Sequence, residues 1–398
     1  MNEPVRLDEV TKIAVLRPNA VGDFVFALPA LHALKHTYPG AELVFLGKAW
    51  HATFLEGRPG PVDRVVVMPP VPGVGAPPDA PVDAHAVERF VERMRAERFD
   101  IVAQMYGGGR YSNPFVMRFE PRLAIGARAH DAPALDRWVA HVEPANRRLA
   151  LLEIAALAGA ALPWMRSELA VTPADRAAAA RVVPAACAAT AHARPPERPD
   201  AVHAWLPEHE TAMPDPAVLQ ERARPLVLLQ PGSSDPRRCW PADRFAAVGD
   251  ALAAVGAFVA VNGTEEEAGL VRQIVGSMRR PALDLAGKLG LGGLCGVLER
   301  TALVVSNDTG PLHLALAIGT PAVGLFWHTN LVDGAPLRPG LLRAAISAQV
   351  GCSVCGADNR ASRCVHQESF LQDISVDEVL GLARAQLRIR DAGEAGAA

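Results

Sequence analysis

The sequence predicts an α/β protein with two domains that face each other across a ligand-binding cleft. Short apolar runs alternate with segments of helical periodicity in two separate stretches of the chain, and such alternation is typical of parallel sheets covered by helices. A proline-rich stretch separates the two. With 398 residues, 50% of them hydrophobic, the chain has enough apolar material for two cores.

In the first stretch, predicted strands and helices follow one another in order. An apolar run at 12–17 precedes a loop and a helical pattern at 24–36, which the turn residues at 38–40 end. Further strands are predicted at 42–47, 64–68 and 100–105, and further helices at 82–97 and 146–160. These elements form a predicted first domain of residues 1–172.

The composition changes in the middle of the chain. Nine prolines lie between residues 173 and 225, among Ala, Arg, Glu and His, and helical periodicity fades after Val183. We interpret residues 173–224 as an interdomain linker or insertion.

The alternation restarts at residue 225. Strands are predicted at 226–230, 257–262, 302–306 and 321–326, and helices at 241–255, 265–278, 294–300 and 311–318. They form a second domain of residues 225–374, followed by a C-terminal helix and tail at 375–398. Because ligands bind beyond the carboxyl ends of parallel strands, two such domains predict a site in the cleft between them.

Charge and hydropathy exclude several classes of protein. A formal net charge of −3 argues against a general nucleic-acid binder. No apolar run reaches the roughly 18 residues that span a membrane, and the N-terminal residues lack the apolar core of a secretory signal. Six cysteines do not make a disulfide framework in a chain of this length. We therefore expect a cytoplasmic protein with at most peripheral contact with the inner face of the membrane.

The loop after the first predicted strand ends in Gly22 and Asp23, without the G-x-G-x-x-G pattern of a dinucleotide site. Gly22 permits a tight turn. Asp23 has two interpretations. It is either the N-cap of the next helix or a carboxylate at the mouth of the cleft that accepts a proton from a hydroxyl substrate.

Two loops of the second domain suit an anion. The first, 230–241, has serines and arginines at the end of a strand, where they suit a phosphate unless the arginines are merely solvated. In the second, 305–315, Thr309 or Gly310 precedes a helix with Pro311 near its first position, so that free N–H groups and the helix dipole favour negative charge. His313, in the first turn, is either a ligand of that anion or a half-buried histidine with an internal partner.

These residues give the chain a resemblance to glycosyltransferase family 9, the bacterial heptosyltransferase family of the GT-B fold. The matching segments are 12–34, the Arg-x-Trp-Pro element within 230–245, and V-V-S-N-D-T-G-P-L-H-L-A-L-A-I-G-T-P-A-V-G-L-F at 304–326. With 100–126 and the tail, the resemblance covers about two thirds of the chain. It implies two Rossmann-like domains and an inverting, metal-independent transfer of a sugar, with ADP-heptose as the expected donor. The expected acceptor is a hydroxyl of a cell-envelope glycan, glycolipid or lipopolysaccharide core.

The resemblance also implies roles for single residues. Asp23 matches the family's catalytic base. The implied donor-binding residues are Ser233, Ser234, Arg237 or Arg238, Glu266, Asp308, Thr309, Gly310 and His313, with Glu265 as the alternative to Glu266. Relatives often carry a lysine in the basic pair, whereas this chain has Arg237 and Arg238, which keeps the charge but changes the geometry available for a phosphate. The expected acceptor-binding residues are Gly22, Gln104, Arg110 and Asn113, and arginines at 118, 122 and 128 also suit an acidic acceptor.

A group of cysteines near the C-terminus has the spacing of a metal site. Cys352, Cys355, Cys364 and His366 form C-x2-C-x8-C-x-H, and three thiolates with one imidazole suit tetrahedral zinc in a structural role. No cofactor is expected for catalysis. Two alternatives to a transferase remain at this point, an NAD-type oxidoreductase on a Rossmann-like fold and a non-catalytic zinc-binding scaffold.

Overall fold

The computed structural model describes residues 6–163, 165, 167–184, 224–338, 340–360 and 364–387. Most of the predicted linker, with its histidines, and the last residues of the tail lie outside this range. No helix in the described part is both long and apolar enough to cross a membrane.

The first domain is a parallel sheet with helices on both faces. Its six main strands run in the order β3-β2-β1-β6-β7-β8, and β4 and β5 form a separate two-stranded ribbon. The elements are β1 Lys12–Leu16, α1 Val21–Thr37, β2 Glu42–Gly47, α2 Ala49–Leu55, β3 Arg64–Val67, β4 Val71–Pro72, β5 Gly75–Ala76, α3 Ala84–Ala96, β6 Ile101–Gln104, α4 Ser112–Met117, β7 Leu123–Arg128, β8 Arg137–Ala140 and α5 Arg147–Ala156.

The second domain repeats this arrangement. Its strand order is β11-β10-β9-β12-β13-β14, so in both domains the described strands follow the same path from the centre to one edge and then to the other. Its elements are β9 Leu226–Gln230, a 3-10 turn Pro236–Arg238, α7 Ala242–Ala254, β10 Phe258–Val261, α8 Ala268–Ser277, β11 Ala282–Asp284, α9 Leu291–Arg300, β12 Leu303–Asn307, α10 Gly310–Ile318, β13 Ala322–Trp327, α11 His328–Gly334, β14 Leu342–Ser347 and α12 Val376–Leu387. Helix α6, Pro173–Ala180, precedes them.

Residues 173–180 therefore form a helix at the start of the range that the sequence predicts as a linker. Thr172 caps α6, since its side chain accepts from the N–H of Asp175 at 3.1 Å. The helix packs on α9 of the second domain. Asp175 forms a buried ion pair with Arg58 of the first domain, with 2.6 Å between Oδ2 and Nη1. The chain thus crosses between the domains along a packed helix.

Helices α1 and α10 are apolar on almost every face, which predicts burial on all sides. Every residue of α1 from Phe24 to Leu31 is buried, and α10 is buried from Leu312 to Ala317. The two helices pack against each other at the domain boundary. One apolar cluster consequently runs through both domains, and their strand ends face a common cleft.

Candidate active site

Two cavities open at the strand ends and meet at three side chains. The interdomain cavity, of about 670 Å³, lies between the two domains. The first-domain cavity, of about 370 Å³, lies against α5 and the ends of β7 and β8. Asp23, Arg147 and Asp333 line both cavities. A group transferred from one cavity to the other would therefore pass these three side chains.

Asp23 is the third residue of α1, and its carboxylate is bound by two arginines from outside that helix. The N-cap is Ala20, which makes no side-chain cap hydrogen bond, so the capping interpretation of Asp23 is wrong. Arg17 Nη2 donates to Asp23 Oδ1 at 3.0 Å and Arg147 Nη1 at 3.3 Å. Both bonds end on Oδ1, and among the described residues no hydrogen bond ends on Oδ2.

Arg17 fixes the position of Asp23 through hydrogen bonds to its carboxylate and its backbone oxygen. It directly follows strand β1, is buried, and also donates to the backbone oxygen of Met105. Burial lowers the pKa of Arg17 to about 10, against the opposing effect of the Asp23 charge. Because this value is still far above neutrality, the guanidinium stays charged and holds the carboxylate in one orientation.

The N-terminal ends of α1 and α10 meet at the interdomain cavity. Gly22 of α1 and Thr309, Gly310 and Pro311 of α10 line it. A Cβ on Gly310 would lie 3.2 Å from Val21 Cβ, so glycine permits the close approach of the two helices. The first N–H groups of each helix lack intrahelical partners and carry partial positive charge. Two such ends facing one cavity favour an anionic ligand.

Asp308 connects the second domain's part of the cavity into one network. Its Oδ1 lies 2.9 Å from His313 Nε2, and Asn330 Nδ2 donates to Oδ2 at 2.9 Å. Burial raises the pKa of Asp308, but the contacts with His313 and Asn330 outweigh it, so the pKa lies below its usual value. Burial lowers the pKa of His313 despite the carboxylate. His313 also packs edge-on against Phe26 of the first domain.

The predicted donor loop 230–241 is only partly brought to the cavity. Ser233, Ser234 and Arg238 line it, and Arg238 Nη1 lies 3.6 Å from Asp308 Oδ2. The exposed Glu266 lies at its edge. Arg237 points elsewhere, because its guanidinium is buried against Asp235 at 2.8 Å and lies over the Phe370 ring. The prediction that Arg237 binds donor is therefore corrected to a structural role.

Of the four residues predicted to bind the acceptor, three line neither cavity. Gln104 is fully buried and holds its own loop, since its amide donates to Ser112 Oγ at 2.5 Å and accepts from the N–H of Ala127. Asn113 is also buried, and donates to the backbone oxygens of residues 127 and 133. Arg110 is exposed outside both cavities and pairs with Asp131 at 3.6 Å. Gly22 lines the interdomain cavity, not the first-domain cavity.

Polar residues that the sequence analysis missed connect the domains beside the site. Arg147 Nη2 lies 3.4 Å from Asp333 Oδ2 of α11. The next residue, Arg148, is buried and donates to the carbonyl of Gly334 at 2.7 Å. Asn146 Nδ2 donates to the carbonyl of Ala335 at 2.9 Å. Their only sequence signal is a position at the start of a predicted helix, whereas Asn330 and Asp333 lie in a helix that the sequence analysis left unassigned.

The four predicted metal ligands converge. One ligand atom from each of Cys352, Cys355, Cys364 and His366 lies within 4.8 Å of the others. Cys352 Sγ and His366 Nδ1 are 3.6 Å apart. Hydrogen bonds from backbone N–H groups of Cys355 and Val354 lower the pKa of Cys352 to about 7. By contrast, burial raises the pKa of Cys239, outside the cluster, to about 11. The cluster has the composition and compactness that a metal ion requires.

Two facing Rossmann-like domains with a site at their strand ends define the GT-B class of proteins. Solved structures place the chain in that class. A glycosyl transferase family 9 protein from Veillonella parvula matches with a TM-score of 0.72 and 16% identity, covering 98% of this chain and 100% of the other. ADP-heptose lipopolysaccharide heptosyltransferase II of Escherichia coli matches with a TM-score of 0.66 and 16% identity, covering 95% and 99%.

The chain belongs to glycosyltransferase family 9 (heptosyltransferase), whose family model matches residues 87–371. Lipopolysaccharide heptosyltransferase 3 of Escherichia coli is 31% identical over 120 residues, which are 29% of this chain and 35% of that protein. The match thus spans about a third of this curated relative. The predicted fold and the predicted family resemblance are both confirmed, and neither alternative class is supported.

Proposed function

We propose that this protein transfers a heptose from ADP-heptose to a hydroxyl group of a cell-envelope glycan, with inversion at the anomeric carbon. The observation that carries this proposal is the position of Asp23, whose carboxylate lines both cavities. One cavity has two helix N-termini and Arg238, which suit a diphosphate, and the other offers space for an acceptor. Membership in the heptosyltransferase family supports the choice of sugar.

In this mechanism the nucleoside diphosphate lies in the interdomain cavity, near the N-terminus of α10. The acceptor hydroxyl lies in the first-domain cavity and gives its proton to Asp23 Oδ2. Its oxygen forms a bond with the anomeric carbon as the bond from that carbon to the diphosphate oxygen breaks. Attack from the face opposite the leaving group inverts the centre.

The leaving group of this reaction is ADP, and its developing negative charge needs stabilisation. The free N–H groups of α10 and the guanidinium of Arg238 supply positive charge at fixed positions. The Asp308 network holds His313 and Asn330 at the same wall of the cavity. We expect Glu266, at the edge of the cavity, to bind hydroxyls of the nucleoside ribose.

Calorimetric titration of the wild-type protein with ADP, ADP-heptose, UDP, GDP, CDP and NAD tests the donor. We expect ADP and ADP-heptose to bind and the other nucleotides to bind more weakly. A preference for UDP or GDP would be compatible with a glycosyltransferase but would reject ADP-heptose as its donor. Binding of NAD alone, or of none of these compounds, would reject the proposed function.

We also propose that the four-residue cluster binds one structural zinc ion. At usual Zn–S and Zn–N bond lengths, a tetrahedral site places sulfur and nitrogen ligands about 3.6 Å apart. Cys352 Sγ and His366 Nδ1 are separated by 3.6 Å. The N–H of Val354 donates to Cys352 Sγ at 3.4 Å, a contact that stabilises a bound thiolate.

The zinc ion would stabilise the segment between β14 and α12, which supports the donor loop. The N–H of Phe370 donates to the carbonyl of Arg237 at 2.7 Å, and the two side chains stack. We expect about one zinc ion per purified wild-type chain. The Cys352→Ser variant should contain no zinc, and its melting temperature should be several degrees lower. Cys239→Ser, outside the cluster, is the matched control. A wild-type protein free of metal when purified under reducing conditions would contradict this assignment.

A further inference from the structure

We propose that the acceptor group bound in the first-domain cavity is a hydroxyl-bearing sugar without phosphate or carboxylate groups. This inference rests on the proposed transfer reaction and adds the chemical class of the acceptor. It starts from the charges that line the cavity beside Asp23, which differ from what an acidic acceptor would require.

Among the described residues, the first-domain cavity is lined by more carboxylates than guanidinium groups. The carboxylates are Asp23, Glu143, Glu153 and Asp333, and the guanidinium groups are Arg17 and Arg147. Both arginines are already engaged: Arg17 binds Asp23 at 3.0 Å, and Arg147 bridges Asp23 and Asp333 at 3.3 and 3.4 Å. His141 lies 3.5 Å from Glu143. An entering anion would meet carboxylates and displace cations from existing pairs.

The arginines that suited an acidic acceptor in the sequence are all engaged outside the cavity. Arg110 pairs with Asp131, and Arg118 pairs with Glu88 at 2.5 Å. Arg122 pairs with Asp100 at 2.7 Å. Arg128 donates to the carbonyl of residue 132 at 2.9 Å and lies over the Trp138 ring. None of them lines the first-domain cavity.

Part of the lining of this cavity is apolar, which suits the C–H face of a neutral sugar ring. It is formed by Met105, Ala127, Val139, Leu151 and Ile154. Near the reacting end, burial raises the pKa of Asp333, and the charge of Glu143 contributes in the same direction. The charge of Arg147 opposes this shift. The cavity is nevertheless lined by more carboxylates than guanidinium groups, and this excess disfavours a second anion, since like charges in contact repel strongly.

A matched pair of acceptors tests the inference. Initial rates of ADP release are measured with ADP-heptose and either methyl heptopyranoside or the same compound carrying one phosphate. We expect kcat/KM to be about tenfold or more higher for the neutral compound. Calorimetric binding of ADP-heptose, measured in parallel, separates the two proposals, because loss of donor binding rejects the proposed function itself.

A second measurement uses a variant at the rim of the cavity. Glu153→Gln removes one negative charge, so we expect it to narrow the preference for the neutral acceptor about threefold. Glu92→Gln, on the outer side of α3, is the matched control and is expected to leave the ratio unchanged. With donor binding intact, equal or faster transfer to the phosphorylated compound would overturn the inference. Transfer to neither compound would overturn it as well.

Discussion

The two domains share one strand order but place polar residues at their strand ends for different purposes. In the second domain, the loop after β12 leads directly into α10, and its polar residues line the interdomain cavity. In the first domain, the corresponding loop after β6 is longer. Its buried Gln104 and Asn113 hold the loop itself through hydrogen bonds. At the same topological position, the loop therefore lines the interdomain cavity in one domain and is held by its own buried side chains in the other.

The proposed transfer reaction needs two functions, and this difference assigns one of them to each domain. In the proposed reaction, the second domain supplies positive charge for the leaving diphosphate through the N-terminus of α10 and Arg238, which line the interdomain cavity. The first domain supplies Asp23, held by Arg17, at the boundary of the two cavities. We expect substitutions in the first domain to affect the chemical step and substitutions in the second to affect donor affinity.

The largest expected effect is that of Asp23→Asn. If Asp23 is the general base, its loss lowers kcat by about 10²–10⁴-fold, while the affinity for ADP changes little. Initial rates and calorimetry on the same preparation measure the two quantities. Asp131→Asn, which removes an exposed carboxylate outside both cavities, is the control. Near-normal turnover by the Asp23 variant would show that the first domain does not supply the general base through this residue.

The next effect is that of Arg238→Gln in the second domain. Loss of a charge-assisted contact with a phosphate lowers ADP affinity by about tenfold to a hundredfold. Arg272→Gln, on an exposed position of α8, should leave affinity unchanged. If the Arg238 variant kept the wild-type affinity for ADP but had a reduced kcat, Arg238 would act in the chemical step and not in donor binding.

The smallest effect concerns two buried histidines, one in each domain. His313 lies against Asp308, whereas His51 of the first domain accepts the N–H of Lys48 at 3.0 Å and has a pKa lowered by burial to about 4. Below the unfolded value of about 6.5, the unfolded chain binds a proton that the folded chain does not. Stability is therefore lost as pH falls from 6.5 to 4, by up to about 1.4 kcal/mol per pH unit.

Denaturant unfolding at pH 7.5 and 5.5 measures this loss. His51→Gln keeps a hydrogen-bond acceptor but does not titrate, so the stability decrease should be about 1.4 kcal/mol smaller than in the wild type. His85→Gln, at an exposed position, should behave as the wild type does. Equal pH dependence in all three proteins would show that His51 titrates normally.

Local patterns allowed the sequence analysis to predict much of the fold and the second domain's part of the site. Strand β2 was predicted with its observed bounds, and α10 within one residue, because apolar periodicity and Pro311 act over short distances. Asp308, Gly310 and His313 reach the cavity because a strand end and a helix start fix them.

The remaining residues depend on contacts between distant segments. Whether Arg237 or Arg238 faces the cavity is decided by Asp235 and Phe370, of which the second lies more than a hundred residues away. Arg147 and Asp333 meet only because α5 and α11 dock together. A polar residue at the end of a strand can either bind a ligand or hold its own loop, and the sequence alone does not distinguish the two. Gln104 holds its own loop through hydrogen bonds.

Helix α11 of the second domain depends on hydrogen bonds from the first domain, so the two domains cannot be separated without a loss of these bonds. The carbonyls at the end of α11 accept hydrogen bonds from Arg148 and Asn146 of the first domain. The C-terminal end of this helix is therefore capped by side chains of the other domain. A separately produced second domain would expose those carbonyls and loosen the helix that carries Asn330 and Asp333. The second domain's side of the interdomain cavity is therefore not a transferable module, and chimaeras that exchange one domain must carry a compatible α5 with them.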